Sequence, residues 1–161
     1  MSILTDHLKT EHENLRPHVE GLRIAADAVG EVPVTVLCEL VDEALGFLTR
    51  ELIPHAETEG KILYRAVDRV LGANGATETM RHDHSAVVTY ADELSALHGM
   101  VVAEQELTPA RAHDLRRLLY GLYAVVSLHF AKEDEVYAPL LAERLDPLEA
   151  RRLADQLNGH R

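Results

Sequence analysis

Apolar residues recur every three or four positions along most of the chain, and no stretch alternates strictly between apolar and polar residues. Such periodicity is typical of amphipathic α-helices. It predicts four long helices, over about residues 2–29, 33–71, 76–103 and 108–144. Gly30 and the run Gly72-Ala73-Asn74-Gly75 separate the first three segments and are typical helix stops.

A short fifth helix is predicted over 147–158. It follows Asp146, which has Glu149 three positions later in the spacing of a capping box, with a proline at the first helical position. Pro17 and Pro54 lie inside the first and second long segments. Each removes a backbone donor and crowds the preceding turn, so we expect kinks rather than chain breaks.

The short connections favour an all-α fold, an antiparallel up-down-up-down four-helix bundle followed by the short C-terminal helix. No linker or low-complexity tract divides the sequence. We therefore expect a single domain over 1–161. It consists of two helical hairpins, about 5–71 and 76–141, and the C-terminal helix.

Charge and composition exclude several classes of protein. The 161 residues include 16 Lys and Arg against 27 Asp and Glu, for a formal net charge of -11. This balance disfavours nucleic acid and anionic membranes as partners. The single Cys38 excludes a multi-cysteine metal site. The first residues lack an apolar signal segment and the longest apolar run is too short to span a bilayer, so we expect a cytoplasmic protein.

Ten histidines are the unusual feature of the composition. Each predicted long helix carries one of them on its apolar stripe: His12, His55, His84 and His129. His12, for example, has Leu8 and Leu15 at helical offsets. Because the apolar stripes of a bundle face one another, the four imidazoles should point into a common interior.

Two of these histidines have a glutamate one helical turn later, as His55–Glu59 and His129–Glu133. Residues four apart stand on the same helix face, about 5–6 Å apart between Cβ atoms, so each pair can hold one ion or a neighbouring pair of ions. The arrangement is duplicated, since the separations between corresponding residues of the two halves differ by only two residues. Each hairpin thus contributes one histidine from its first helix and a His–Glu pair from its second.

A single histidine on an apolar face is more often a core residue than a ligand, and a single His–Glu pair is weak support. His7 and Glu11 have the same spacing, and we interpret them as a chance pair on a solvated face. Four histidines on four stripes, with two glutamates that no Lys or Arg neutralises, favour a metal site. A buried carboxylate without a partner costs several kcal/mol, and a cation removes that cost.

Nitrogen and oxygen ligands without sulfur suit iron, zinc, copper, manganese or nickel. Two octahedral ions offer about twelve coordination positions, and four imidazoles, two bridging carboxylates and a bridging oxide or hydroxide leave about two of them open. Open positions indicate a site that binds or transforms a small ligand.

These residues resemble the hemerythrin-like (HHE cation-binding) domains. The resemblance covers Thr5 to Leu141 and includes Glu-His-x-x-Leu-Arg at 11–16, Leu-Ile-Pro-His at 52–55 and His-Phe-x-x-Glu-Asp-Glu-Val-Tyr-x-Pro at 129–139. It implies a four-helix bundle that holds two Fe ions in an oxo- or hydroxo-bridged non-haem centre, with Glu59 and Glu133 bridging. Such families bind or sense O2, respond to nitric oxide or peroxide, or hold iron.

The sequence departs from the oxygen-carrying hemerythrins at two places. Val88 stands where those proteins have a second histidine on the third helix. On the last helix those proteins have an aspartate five residues after the histidine. Asp134 has that spacing here, but Glu133 precedes it, and we prefer Glu133 as the ligand because it stays on the apolar stripe. Candidates for an additional ligand or for a second layer around the metal are Tyr137, Tyr64 and His82, with His18 and His98 in reserve; for each tyrosine, filling the bundle core is the more common role.

The sequence therefore predicts a di-iron protein that binds O2 or a related small ligand for carriage, sensing or response. The alternative is a di-iron enzyme acting on peroxide or nitric oxide. Ferritin-like storage needs Glu-x-x-His on inward faces, and no histidine here has a glutamate three positions before it. A metal-free interaction bundle is the remaining class. The expected partner is a small molecule, and no protein partner is predicted.

Overall fold

The computed structural model describes residues 3–159, and that part of the chain is helical, with no β-strand in it. Its helices are α1 Ile3–Ala28, α2 Val34–Phe47, α3 Ile53–Lys61, α4 Leu63–Leu71, α5 Glu78–Glu104, α6 Pro109–Lys132, α7 Ala138–Arg144 and α8 Pro147–Asn158. The all-α prediction is confirmed. The predicted start of the first helix at Ser2 lies outside the described residues.

The second and fourth predicted segments have the expected extent but are not continuous α-helices. A π-helical turn, Leu48–Leu52, joins α2 to α3, and a second one, Glu133–Tyr137, joins α6 to α7. Pro54 and Pro139 each lie two residues beyond such a turn. Proline crowds the carbonyl four residues before it, and a wider turn relieves that contact. Helix α1 by contrast continues through Pro17.

The helix ends follow the sequence signals. Gly30 and Gly72 adopt left-handed conformations, with φ of 81° and 65°, at the ends of α1 and α4. The side chain of Thr108 accepts a hydrogen bond from the backbone at the start of α6. At α8 the capping box of Asp146 and Glu149 is complete, as predicted.

The helices pack as a bundle. Helix α1 contacts α2 and α6, and α5 also contacts α2 and α6, so the four long segments form a closed ring of neighbours. Helix α8 packs against α1 at one end of this ring. No helix within residues 3–159 combines the length and apolarity needed to cross a bilayer.

The buried apolar side chains form two separate clusters, one at each end of the bundle. Along α1 the cluster changes between Leu8 and Val19, and along α5 it changes between Met80 and Val87. His12 and His84 lie at these two crossing points. A polar layer therefore separates the two apolar cores, and all the long segments contribute to it.

Candidate metal centre

The structure brings all six predicted ligand residues into this polar layer. His12, Glu59 and Glu133 are buried to 0–1% exposure, and His55, His84 and His129 are largely buried. Ligand atoms of Glu59, His84, His129 and Glu133 all lie within 4.8 Å of one another, and so do those of His12, His55 and Glu59. Glu59 belongs to both groups, which places its carboxylate between two possible ion positions.

The two carboxylates each face histidines from both halves of the chain. Glu59 Oε1 lies 2.9 Å from His55 Nε2, while its Oε2 lies 3.6 Å from His84 Nε2. Glu133 Oε2 lies 3.3 Å from His12 Nε2, while its Oε1 lies 3.4 Å from His129 Nε2. The site thus has one end with His12 and His55 and another with His84 and His129, spanned by two glutamates.

The spacing of the imidazoles suits shared ligation. Nε2 of His84 and Nε2 of His129 lie 2.9 Å apart. Two nitrogens bound to one ion at right angles, each at about 2.1 Å, would lie about 3 Å apart. The two nitrogens are therefore close enough to bind one ion.

Unpartnered atoms mark the centre of the site. Among residues 3–159, Nε2 of His12 and His55, both oxygens of Glu59 and Oε2 of Glu133 are buried without a hydrogen-bond partner. Buried polar groups nearly always have partners, and leaving them unsatisfied is costly. Bound metal would satisfy them, so the donor set fits the metal that the sequence motifs imply.

Carboxylates form an outer layer behind the histidines. His12 Nδ1 donates to Asp134 at 2.7 Å, and His129 Nδ1 donates to Asp83 at 3.0 Å. Glu11 lies 3.8 Å from Nδ1 of His55. Such contacts fix which nitrogen carries the proton and leave Nε2 free to face the metal. Asp134, the alternative to Glu133 in the sequence, thus contacts the side of His12 that faces away from the glutamates.

The carboxylates shift the pKa values of the metal-free site. Burial lowers the pKa of His12, but its bond to Asp134 and its contacts with Glu133 and Glu59 outweigh burial and raise it to about 11. Burial raises the pKa of Glu59, yet the charge of His55 and contact with His12 hold it well below its usual range. Burial likewise lowers the pKa of His129, but its contacts with Glu133 and Asp83 raise it overall.

His84 differs from the other three histidines. Within residues 3–159 no hydrogen bond or ion pair reaches its Nδ1. Burial, and then the positive charge of His129, lower its pKa to about 4, so His84 is neutral at pH 7. Gly60 occupies the position after Glu59 that Asp134 occupies after Glu133, which explains the missing carboxylate.

Tyr64 lies at the centre of the site. Its side chain is fully buried, its hydroxyl donates to Glu133 Oε1 at 2.6 Å, and its oxygen is 3.0 Å from Nε2 of both His84 and His129. A break at Ile62, with φ of -115°, separates α3 from α4. The break turns Tyr64, five residues after Glu59, toward the site.

Other sequence candidates lie elsewhere. Tyr137 is half-buried and packs against the apolar cluster that contains Leu141. It ends a π-helical turn, in which residues four apart no longer share a face. His82 is 73% exposed and contacts Glu78, so no described contact connects it with the site. This is a correction, because His82 was a candidate for the site.

The reserve candidates are also away from the centre. The exposed His18 stacks on Phe47, and the buried His98 donates to Asp42 at 2.8 Å. Val88, at the position of the missing histidine, is 41% exposed.

The interpretation of His7 and Glu11 as a chance pair on a solvated face is wrong. Their side chains lie 3.2 Å apart and are only 14% and 8% exposed. Helix α8 packs against α1 and covers this face, and its Leu157 lines the same groove as Glu11. Periodicity within one helix does not reveal that a later helix will cover it.

Two cavities reach the site from different sides. One is a small apolar pocket of about 10 Å³, bounded by the site residues His55, Glu59, His84 and His129 and by Leu52, Ala56, Val87, Val126 and Phe130. The other is a groove of about 460 Å³ between α1, the α2–α3 segment and α8, with His55 and Glu59 in its wall.

Sequence reasoning missed the outer layer, although a signal was present. Glu11 directly precedes His12, and Asp83 directly precedes His84. A preceding residue points about a quarter turn away, so each acid reaches the histidine of the other helix in its own hairpin. Phe130, which stacks on His12 at 4.1 Å between ring centroids, carried no separate signal.

The fold and the site together define a helical-bundle protein with a buried histidine–carboxylate centre suited to metal ions. The sequence profile of the hemerythrin HHE cation binding domain matches residues 3–141. The chain belongs to this family, which confirms the resemblance seen in its motifs. No curated protein gives a significant match, and no solved structure does so either.

Proposed function

We propose that the protein holds two iron ions and binds O2 or a related small ligand, nitric oxide or peroxide, at an oxo- or hydroxo-bridged centre. His12 and His55 would hold one ion, His84 and His129 the other, with Glu59 and Glu133 bridging. The observation that carries the proposal is the set of buried, unpartnered nitrogen and oxygen atoms that these residues aim at one another. Iron there would supply redox chemistry and open coordination positions.

The small apolar pocket supports a small ligand. Its volume of about 10 Å³ matches roughly one water-sized molecule. Apolar side chains line it apart from the site residues themselves, so a neutral molecule of two or three atoms fits and an organic substrate does not. Valine and phenylalanine side chains in this wall make this side of the centre apolar.

The arrangement of the chain that we propose is the antiparallel up-down-up-down four-helix bundle, built as one domain from two hairpins. Short connections between the long segments and the closed ring of contacts among α1, α2, α5 and α6 support it. The duplicated site follows from this arrangement, since each hairpin supplies one end of the centre.

Metal analysis combined with an optical spectrum of the isolated protein tests the proposal. We expect two iron ions per chain and near-ultraviolet charge-transfer bands of a bridged diferric pair. Zinc at the site, or a stable protein without metal, would contradict it.

A second candidate function is a di-iron enzyme that acts on peroxide or nitric oxide. Tyr64 favours it, because a phenol in contact with both His84 and His129 gives the site a redox-active group or a proton donor. Repeated additions of peroxide to the iron-loaded protein distinguish the two functions. Sustained O2 release with intact metal indicates the enzyme, and a single bleaching step indicates a binding protein.

Replacing one proposed ligand tests the assignment of residues. We expect His129→Ala to lose at least half of the bound iron and most of the stabilisation that iron provides, about 2.7 kcal/mol at a metal concentration 100 times Kd. The matched control is His82→Ala, which removes an exposed histidine of α5. Equal iron content and equal Tm in the two variants would argue against the assignment.

A further inference from the structure

The groove of about 460 Å³ opens at the protein surface and ends at the candidate metal centre. Asn14, Arg50, Glu51 and Pro54 at its mouth are exposed, whereas Glu11 and Glu59 deeper in its wall are buried. Glu59 is 1% exposed, and neither of its oxygens has a hydrogen-bond partner among the described residues. A buried carboxylate that makes no hydrogen bond, although His55 Nε2 lies 2.9 Å away, indicates that the groove receives a cation.

The geometry points to this groove as the access route by which a hydrated divalent cation reaches the centre; the inference rests on the proposed metal site. Glu51 lies at the mouth and Glu11 farther in, 3.8 Å from His55. His55 is 2.9 Å from Glu59. Carboxylates and an imidazole thus follow one another from the surface to the site.

Volume decides between the two cavities. A divalent ion with six waters occupies about 180 Å³, if each water takes about 30 Å³. The groove has room for it, while the apolar pocket of about 10 Å³ does not. A hydrated cation therefore reaches the centre through the groove and not through the apolar pocket.

The charged side chains that line the groove also favour the entry of a cation. Three carboxylates, Glu11, Glu51 and Glu59, line the groove against one guanidinium, Arg50. A cleft lined by one sign of charge raises the local concentration of the opposite ion and its rate of association. Arg50 opposes that effect. Glu51 should therefore accelerate metal uptake, and its neighbour Arg50 should slow it.

The rate of metal uptake by the metal-free full-length protein tests the inference. Co²⁺ is the probe, because its visible absorption reports binding in a stopped-flow experiment. We expect Glu51→Gln to slow uptake about fivefold at low ionic strength, as one charge about 8 Å from a divalent ion in water predicts. We expect Arg50→Gln to accelerate uptake, and both effects to fade at high salt.

The matched control is Glu13→Gln. Glu13 is an exposed carboxylate of α1 that lines a different groove, of about 410 Å³, without Glu59 in its wall. We expect its uptake rate, and the final metal content of all variants, to equal those of the parent. Unchanged rates in both mouth variants, or equal slowing by Glu13→Gln, would overturn the route while leaving the centre intact. A parent protein that takes up no metal would instead overturn the proposed function.

Discussion

Single side chains in this protein have roles that depend on their position along helices and not on residue type alone. Ten histidines are present, and their environments range from fully buried His12 to exposed His82. What distinguishes the four site histidines is that Nε2 of each faces one of the two buried glutamates, Glu59 or Glu133. Tyr64 at the centre also faces one of these glutamates, because its hydroxyl donates to Glu133 at 2.6 Å.

Tyr64→Phe tests whether the phenol is a ligand or only a hydrogen-bond donor. Burial and the charges of Glu133 and Glu59 raise the pKa of Tyr64, so ionisation requires a cation beside it. If Tyr64 is a ligand, the ferric parent has a phenolate charge-transfer band in the visible spectrum and the variant lacks it. A loss of about 1–3 kcal/mol of stability without a spectral change would indicate the donor role alone.

The four histidines and two glutamates were predictable because they combine a helical period with a duplicated spacing. Tyr64 was predictable only as a candidate, since its position depends on the helix break at Ile62. The burial of His7 and Glu11 was not predictable, because it depends on how α8 docks against α1. Periodicity describes one helix at a time, whereas burial depends on several.

At the scale of elements, the two hairpins are structural repeats, including their outer layer. The acid before the first-helix histidine faces the second-helix histidine in both: Glu11 faces His55, and Asp83 bonds His129. Lys132 also contacts Asp83, and together with His129 it outweighs burial and lowers the pKa of Asp83. Asp83 is therefore ionised and holds the proton on Nδ1 of His129.

Asp83→Asn should weaken metal binding at one end of the centre. Removing a carboxylate behind a ligating histidine typically costs 10–100-fold in metal affinity, and we expect that range in a competition titration with a chelator. Asp92→Asn, an exposed position on the same helix, serves as the control. If both variants bind metal as the parent does, Asp83 has no supporting role.

The periodicity of apolar residues did not predict where the helices are interrupted. The π-helical turns Leu48–Leu52 and Glu133–Tyr137 insert the equivalent of one residue into an otherwise regular segment. Pro54 and Pro139 were visible in the sequence, but a proline permits a kink, a break or a wider turn. Which of these occurs depends on the packing of neighbouring helices, so the sequence predicted the segments and not their interruptions.

For the whole molecule, a polar layer divides the interior into two apolar cores. In the metal-free protein this layer must be stabilised by its own charges. The pKa of His12 is raised to about 11, so protonated His12 stabilises the folded protein. This contribution to the free energy of unfolding is complete below pH 6.5 and is lost as the pH rises toward 11. The pKa of His84 is lowered to about 4, because burial disfavours its protonated form. Its effect on the free energy of unfolding is therefore absent above pH 6.5, and it destabilises the folded protein as the pH falls toward 4.

The stability of the metal-free protein should therefore be greatest near pH 6.5 and fall on both sides. Denaturant unfolding across the pH range measures this. Asp134→Asn should cost roughly 1.5–3 kcal/mol near pH 6.5 and flatten the alkaline side, because Asp134 is the main group that keeps His12 protonated. An alkaline side as steep as that of the parent would contradict the role of this pair.

The missing carboxylate behind His84 makes the two halves of the centre unequal. Asp134 accepts a hydrogen bond from His12 Nδ1, and Asp83 accepts one from His129 Nδ1. Gly60 has no side chain to accept one from His84. If two ions bind as proposed, a chelator should remove them in two stages, the ion beside His84 first, and protein with one ion should accumulate before the second ion is lost. Gly60→Asp, where a Cβ meets nothing nearer than Arg81 at 3.7 Å, should merge the stages into one. A single stage already in the parent would mean that the two halves are equally durable.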